Sequence, residues 1–184
     1  MAFLFQSNPD QWDLRRHLTP GNYVSWFVSR YQALMRPGAL VLLWEARGSG
    51  PRAVRGLYGW GIMTEEPAPD ATGKLRVRLQ YVERWISKKD RDTPRENHTA
   101  PLPGAAVLAL PAWKDHLLAV MAIGTNFLVT PNQLEQLSEC IVTVRFPDSQ
   151  FGRAVRAESD GQQLDPSTFA HKVVYEGQEQ GDEQ

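Results

Sequence analysis

The segment ALVLLWEA, residues 39–46, limits most strongly how this 184-residue chain can fold. It follows the sequence RPG at 36–38, where proline and glycine suit a tight turn, and its first six residues are all apolar. A membrane-spanning helix needs about 20 apolar residues, so this run is far too short to be one. We therefore interpret it as a strand that is buried on both faces of a sheet.

Three further segments have the composition of strands. The chain begins with one, over residues 2–6. A second lies within AVRGLYGWGIMTEE at 53–66, where three glycines predict a β-bulge or the close approach of another backbone. The third, at 74–85, alternates between apolar and polar residues. Its apolar side consists of Leu75, Val77, Leu79, Tyr81 and Trp85, and its polar side, which we interpret as solvated, of Lys74, Arg76, Arg78, Gln80 and Arg84.

Short helices are predicted between these strands. Asn8 suits an N-cap position and Pro9 the first helical position, so a helix is expected to start there. A turn and a second short helix are expected within residues 25–35. A third helix is expected within 111–122, ending near Gly124.

The clearest helix signal follows Thr130. Thr130 and Gln133 have the spacing of a capping box, and Pro131 occupies the first helical position. The helix is predicted to reach residue 142 and to be followed by a strand at 143–146. Its expected core stripe consists of Leu134, Leu137 and Ile141.

Short strands mixed with short helices, without a regular β-α-β alternation, are typical of an α+β fold built on a small twisted sheet or barrel. The sequence contains no internal repeat, and its length suits one domain with a sizeable core. We place that domain at residues 1–175. The remaining segment, EGQEQGDEQ at 176–184, is predicted to be a disordered acidic tail.

The sequence lacks familiar catalytic and metal-binding motifs. Its single cysteine, Cys140, excludes a disulfide framework and a cysteine-based zinc site. The four histidines have no ligand spacing, and no glycine-rich phosphate loop precedes a helix. We therefore predict no cofactor, no metal and no catalytic residue.

The two ends of the chain bear on its location and its partners. The N-terminus, MAFLFQS, has no basic segment of the kind that begins a signal peptide, so we expect a cytoplasmic protein that has no membrane partner. The C-terminal tail carries four acidic residues and no basic one, which leaves 17 acidic residues against 20 basic ones, or +3, for the rest. A mildly basic body is compatible with nucleic acid, with few phosphate contacts.

Five blocks of the sequence, taken in order, resemble the EVE domain, which belongs to the PUA-like superfamily and is akin to the YTH domain and the thymocyte nuclear protein family. The blocks span about residues 3–142 and read FLFQSNPDQWDL, SWFVSRYQALMRPGALVLLW, GLYGWGIMTEEP, RVRLQYVERW and GTNFLVTPNQLEQL. The resemblance implies a small mixed β-barrel with short helices packed around it.

The same resemblance implies a binding module and not an enzyme. Its pocket would take one base, often a modified one, that is lifted out of a nucleic-acid strand. The implied partner is DNA or RNA carrying a modified base, and a monomer is expected. Two other functions stay open: an enzyme that acts on nucleic acid or a nucleotide through the same cleft, and a small-molecule or protein-interaction module.

The resemblance also implies which residues form the base-binding pocket. They are Ser7, Asn8, Trp26, Trp44, Gly124, Thr125, Asn126 and Phe127. The pocket hypothesis requires the ring of Trp26 to stand exposed beside an open slot. Candidate phosphate contacts, which flank the pocket segments, are Arg30, Arg36, Arg47 and Arg52.

Several of these positions have a structural alternative. Asn8 has a role as a helix cap, Trp26 could cover the edge of the core, Trp44 suits core and pocket equally, and Asn126 could form a turn. The remaining tryptophans are interpreted as packing residues: Trp12, Trp60, Trp85 and Trp113.

The sequence departs from the related families at two points. The residues before GTNF are apolar, MAI, where many EVE sequences are polar or basic. The loop EPAPDATGK has no counterpart of the second tryptophan of the YTH cage, so a full aromatic cage is not expected.

Overall fold

The computed structural model describes residues 1–49, 55–116 and 126–177. In this part of the chain, nine strands form one curled mixed sheet, a half-barrel. The strands are β1 (Ala2–Ser7), β2 (Tyr23–Phe27), β3 (Leu40–Glu45), β4 (Gly56–Met63), β5 (Ala68–Pro69), β6 (Leu75–Ile86), β7 (Leu102–Pro103), β8 (Asn126–Val129) and β9 (Lys172–Tyr175).

The main path of the sheet runs β2-β6-β4-β3-β1-β8. β1 and β3 are parallel, whereas the other pairs on this path are antiparallel. Three strands extend it: β5 and β9 pair with β6, and β7 pairs with β4. This architecture confirms the α+β fold that the sequence predicts.

Two hydrophobic clusters lie on the two faces of the sheet. Inside the curl, Phe3 and Phe5 pack with Trp26 and with alternate residues of β3, β4 and β6. On the outer face, the other residues of β3 pack against the helical layer. All six residues of β3 are buried, which confirms that ALVLLW is covered on both sides.

The glycines of β4 allow its backbone to lie very close to β6. A Cβ atom on Gly59 would lie 2.1 Å from the carbonyl oxygen of Glu83, and one on Gly61 would lie 2.6 Å from that of Gln80. The register also shifts between Trp60 and Gly61. The predicted bulge and close approach are therefore both confirmed.

This bulge changes which face the end of β6 presents. Tyr81 packs inside the curl, but Trp85 packs in the outer cluster. The sequence prediction that these two share a face is wrong, because strict alternation does not continue through a bulge. Arg84, expected to be solvated, is 2% exposed for the same reason.

The described α-helices are α1 (Leu14–His17), α2 (Gly104–Leu108), α3 (Pro131–Ser138) and α4 (Phe151–Ser159). The N-cap of α1 is Asp13, whose side chain accepts the Arg15 N–H. Asn8 instead shapes a turn, in which its carbonyl oxygen accepts the N–H groups of Gln11 and Trp12. The expected helix start at Asn8 is therefore wrong.

The second expected helix is also replaced. Trp26 lies on strand β2, and only a short 3₁₀ turn, Gln32–Leu34, follows. Tertiary pairing with β6 decides this segment, because its sequence alone favours neither state strongly. The third expected helix begins with a 3₁₀ turn, Pro111–Trp113, and most of the rest lies outside the described residues.

Helix α3 has the predicted capping box. The side chain of Thr130 accepts the backbone N–H of Gln133, and the Gln133 side chain accepts the Thr130 N–H. The helix continues as a π-helix, Glu139–Arg145, so the strand predicted at 143–146 is wrong. The predicted core stripe is confirmed, because Leu134, Leu137 and Ile141 are each 0% exposed.

The first two residues of the predicted tail are attached to the body. Glu176 donates its N–H to Ile86 and pairs through its carboxylate with Arg145, at 2.9 Å. Gly177 donates its N–H to the carbonyl oxygen of Arg145. The rest of the acidic tail lies outside the described residues.

The Asn126 side chain joins the two ends of the main sheet path. Asn126 begins β8, and its Oδ1 accepts the Ser29 N–H at 2.8 Å, just beyond β2. Its Nδ2 donates to the Phe27 carbonyl oxygen at 3.3 Å. One buried amide therefore links β8 to β2 and holds the curl of the sheet.

We expect Asn126→Ala to lower the free energy of unfolding by about 2–4 kcal/mol, because it leaves at least two partly buried backbone groups without this partner. Urea denaturation would measure the change. Asn132→Ala, at an exposed asparagine of α3, is the matched control and should stay within about 0.5 kcal/mol of the wild type. An Asn126→Ala protein as stable as the wild type would contradict the role of the amide.

Candidate nucleic-acid interface

The candidate site is built where the parallel strands β1 and β3 end side by side. In their register Ser7 lies opposite Glu45. The next loop is held to the same edge, because the Ala46 N–H donates to the carbonyl oxygen of Ser7 at 2.8 Å. The carboxyl ends of two parallel strands thus bring polar residues of both strands together.

Ser7 has an unused hydrogen-bonding group. It is 4% exposed, and among the described residues its hydroxyl has no hydrogen-bond partner. Along β1 it follows Phe3 and Phe5 at alternate positions, so it shares the inner face of the curl. A buried hydroxyl without a partner costs about 1–3 kcal/mol, which makes Ser7 a candidate ligand contact.

Glu45 is a fully buried carboxylate beside Ser7. It accepts the Leu14 N–H at 2.8 Å and lies 3.4 Å from the Arg15 guanidinium. Burial raises the pKa of Glu45 to about 7, the Arg15 charge acts to lower it, and Asp13 acts to raise it. The carboxyl group therefore titrates near neutral pH while it fastens α1 over the end of the curl.

Two arginines fix the other end of α1. Arg84 and Arg95 both donate to the carbonyl oxygen of Leu18, where a positive charge also suits the helix dipole. Arg84 is held in turn by the Nδ1 atom of His98, at 2.8 Å. These roles could not be predicted from the sequence, because alternation along β6 gives no sign that Arg84 is buried.

Trp26 lies inside the curl, next to the candidate site. Its ring meets that of Phe5 edge-on, with centroids 5.8 Å apart, and its Nε1 donates to the hydroxyl of Tyr81 at 3.1 Å. The side chain is only 7% exposed. The expectation that this indole stands exposed is therefore corrected: it lies at the inner wall, with little free surface.

Three more of the predicted pocket residues have structural positions. Trp44 is fully buried in the outer cluster, and Phe127 is fully buried in the same cluster, which corrects their assignment to a pocket surface, because neither ring is accessible. Asn126 is also 0% exposed and holds the sheet ends, as described above. Gly124 and Thr125 lie outside the described residues.

Asn8 remains on the surface of the site. It is exposed, and its Oδ1 accepts the Asp10 N–H at 3.0 Å. Its backbone holds the turn that leads from Ser7 to Trp12. Asn8 therefore lies at the surface, in a hydrogen-bonded turn that follows Ser7 directly in the chain.

The candidate rim arginines differ in their surroundings. Arg47 is exposed in the loop that follows Glu45. Arg36 is also exposed and lies 3.8 Å from Glu66, whose side chain is 66% exposed, so that pair is weak. Arg30 is half-buried just beyond Ser29. Arg52 lies outside the described residues.

Trp12, in the turn after Ser7, is more exposed than its sequence pattern predicts. It was interpreted as a packing residue, yet it is 38% exposed. Its ring stacks on the imidazole of His17, with centroids 4.1 Å apart. The only sequence signal is its place in the turn after Ser7, since alternation and helical spacing do not apply to a turn.

Open clefts elsewhere have no part in the predicted pocket. One of about 690 Å³ lies between α3, the π-helix and α4, and another of about 580 Å³ lies beside Tyr23 and His171. Within the described ranges, no three His, Cys, Asp or Glu side chains are grouped to hold a metal ion. None of the described helices has the length and apolarity to cross a membrane.

The curled mixed sheet with its short helices defines the class of protein. It has the same fold as the thymocyte nuclear protein domain structures described below, as the sequence resemblance implies. No protein-family model matches the sequence, and no curated protein matches it. The likeness is carried by the three-dimensional arrangement of the strands.

Three solved structures illustrate this similarity. The human THYN1 protein in complex with 5-methylcytosine-containing DNA has a TM-score of 0.52 and 13% identity, over 74% of this chain and 94% of that one. The DUF55 domain of human thymocyte nuclear protein 1 has a TM-score of 0.50 and 13% identity, over 74% and 96%. Rpa0253 from Rhodopseudomonas palustris has a TM-score of 0.53 and 18% identity, over 73% and 88%. At these identities the likeness shows a shared fold.

The Glu45 carboxyl should make stability fall as pH rises from about 5 to about 7. The folded chain retains this proton up to about pH 7, whereas an unfolded glutamate releases it near 4.5. The folded state therefore binds more protons in this interval, so its stability falls with rising pH. A tenfold difference in proton affinity is worth about 1.4 kcal/mol, so we expect a fall of the order of 2–3 kcal/mol.

Thermal and urea unfolding between pH 5 and pH 8 would measure this effect. Glu45→Gln should remove most of the fall, and Glu66→Gln, at an exposed glutamate, should not. The difference between wild type and variant is the relevant quantity, because His116, whose pKa is lowered by burial, acts in the opposite direction. An unchanged pH profile in Glu45→Gln would contradict the assignment.

Proposed function

We propose that this protein binds nucleic acid at the ends of β1 and β3 and there recognises a single, modified base. The fold supports the proposal, because a structure with the same fold is that of human THYN1 protein in complex with 5-methylcytosine-containing DNA. The candidate contacts are Ser7, Asn8, Trp26, Gly124 and Thr125, with Arg30, Arg36, Arg47 and Arg52 toward the phosphates. Asn126 acts by linking the start of β8 to the end of β2.

The observation that carries the proposal is the Ser7 hydroxyl. It is buried, it has no partner among the described residues, and it lies opposite Glu45. A base edge that hydrogen-bonds to it would remove the cost of the unpaired group, about 1–3 kcal/mol. Such a contact distinguishes bases by their donors and acceptors.

The energetics require several contacts at once. Stacking of a base on an aromatic side chain is worth about 1–3 kcal/mol, while extracting a base from a duplex costs a few kcal/mol. One methyl group adds only about 0.8 kcal/mol when it is buried. Binding to single strands should therefore be tighter than binding to duplex, and preference for a methylated base should be several-fold.

A second function, catalysis on nucleic acid or a nucleotide in the same place, is favoured by one observation. Glu45 has a pKa of about 7 and lies opposite Ser7, and a carboxyl group that titrates near neutral pH suits general acid–base chemistry. Against this role, the carboxylate already accepts the Leu14 N–H and pairs with Arg15. We therefore favour binding.

The binding proposal predicts opposite effects of Ser7→Ala on affinity and stability. Affinity for a fluorescein-labelled 12-nucleotide DNA strand with one 5-methylcytosine should fall about 5- to 30-fold, because one hydrogen bond in a buried site is lost. Stability should stay the same or rise, because the hydroxyl has no partner in the free protein. Fluorescence anisotropy and thermal unfolding would measure the two.

Ser49→Ala, at an exposed serine of the neighbouring loop, is the control and should change neither quantity. Trp26→Phe should also weaken binding, and it avoids the large cavity that Trp26→Ala would leave in the inner cluster. If Ser7→Ala and Trp26→Phe both bind like the wild type, the site is wrongly placed.

The low net charge predicts a shallow salt dependence. With about two or three phosphate contacts, the slope of log affinity against log salt on single-stranded DNA should be about −1.5 to −2. Arg47→Ala should reduce its magnitude by about 0.7, equivalent to one phosphate. Arg156→Ala, at an exposed arginine of α4 in the outer layer, should leave it unchanged. A steep slope, or equal effects of the two variants, would argue against the rim.

A further inference from the structure

The most exposed tryptophan of the described chain lies next to the proposed site. Trp12 is 38% exposed, whereas the other five tryptophans are 7% exposed or less. An exposed aromatic ring is a surface on which a nucleic-acid base can stack. A side chain that served packing alone would be expected to bury this ring, as the other five are buried.

Trp12 is nevertheless held in one position. Its backbone N–H donates to the Asn8 carbonyl oxygen at 2.8 Å. One face of the indole stacks on His17, with an angle of 22° between the rings. The indole is thus fixed by its backbone and by one ring face.

Trp26 and Tyr81 are both buried inside the curl. The Tyr81 hydroxyl accepts the Trp26 N–H at 3.1 Å, and the two residues are 0% (Tyr81) and 7% (Trp26) exposed. Neither ring offers a stacking surface, so Trp12 is the accessible tryptophan beside the proposed site.

We propose that Trp12 is the outer aromatic wall of the base site. The indole face turned away from His17 stacks on an unpaired nucleobase. This inference rests on the proposed function and names the residue that makes first contact. The wall comes from the turn after β1, so the absence of a tryptophan from the loop EPAPDATGK does not prevent a two-sided site.

The exposure of Trp12 explains how a base could be held although Trp26 is nearly buried. Stacking is sequence-tolerant because every base has a π-face. Discrimination between bases then depends on hydrogen bonds to the base edge, for which the Ser7 hydroxyl is available.

The test uses anisotropy titrations with the same labelled 12-nucleotide strand, carrying either cytosine or 5-methylcytosine. Trp12→Ala should weaken binding to both strands by about tenfold or more, the loss of one stacking contact. Trp12→Phe should stay within about threefold of the wild type, because a phenyl ring still stacks. Tyr175→Ala, at an exposed aromatic residue of β9, should bind like the wild type.

A spectroscopic measurement separates direct contact from an effect on folding. In protein labelled with 5-fluorotryptophan, the ¹⁹F resonances of Trp12 and Trp113 are identified by their absence from the spectra of Trp12→Phe and Trp113→Phe. Saturating oligonucleotide should shift the Trp12 resonance and leave the Trp113 resonance in place. Two results would overturn the wall assignment and leave the proposed function standing. The first is a Trp12 resonance that does not move. The second is a Trp12→Ala protein that binds within twofold of the wild type while Ser7→Ala fails to bind. If the wild type binds neither strand, both the wall assignment and the proposed function are overturned.

Discussion

The hydrogen bonds of the Asn126 amide are the interaction on which the geometry of the site depends most directly. A six-strand path that begins at β2 and ends at β8 leaves two edges with unpaired backbone groups. The Asn126 side chain satisfies one donor and one acceptor near the end of β2. With the edges held in this way, the inner faces of β1, β2 and β6 meet, and Phe5, Trp26 and Tyr81 come into contact.

Of the polar residues at the end of the curl, one has a structural role and another keeps a hydroxyl group that could bind a ligand. Glu45 fastens α1 through the Leu14 N–H, while its register neighbour Ser7 keeps an unpaired hydroxyl. Buried polar groups are normally satisfied, so the unpaired hydroxyl of Ser7 is a sign of a binding role. The raised pKa of Glu45 has the same origin, since burial there is tolerated only with specific partners.

Much of the fold could be predicted from the sequence, because the strands have distinct patterns. The apolar run of β3, the glycines of β4 and the capping box of α3 each determine structure locally. The failures share a cause in tertiary structure. The bulge reverses the face of Trp85, pairing with β6 makes 25–27 a strand, and Asp13 displaces Asn8 as the cap. None of these choices is encoded in the local periodicity of the sequence.

Prediction of the site depended on the family resemblance, and it was least reliable for aromatic residues. Composition cannot tell an indole that fills a core from one that lies at the surface. Trp44, predicted as a pocket residue, is fully enclosed, whereas Trp12, predicted as a packing residue, is exposed yet held by its backbone N–H and by stacking on His17. Fixing an exposed ring costs conformational entropy, and a rigid stacking surface recovers this cost when a ligand binds, because little further ordering is then needed.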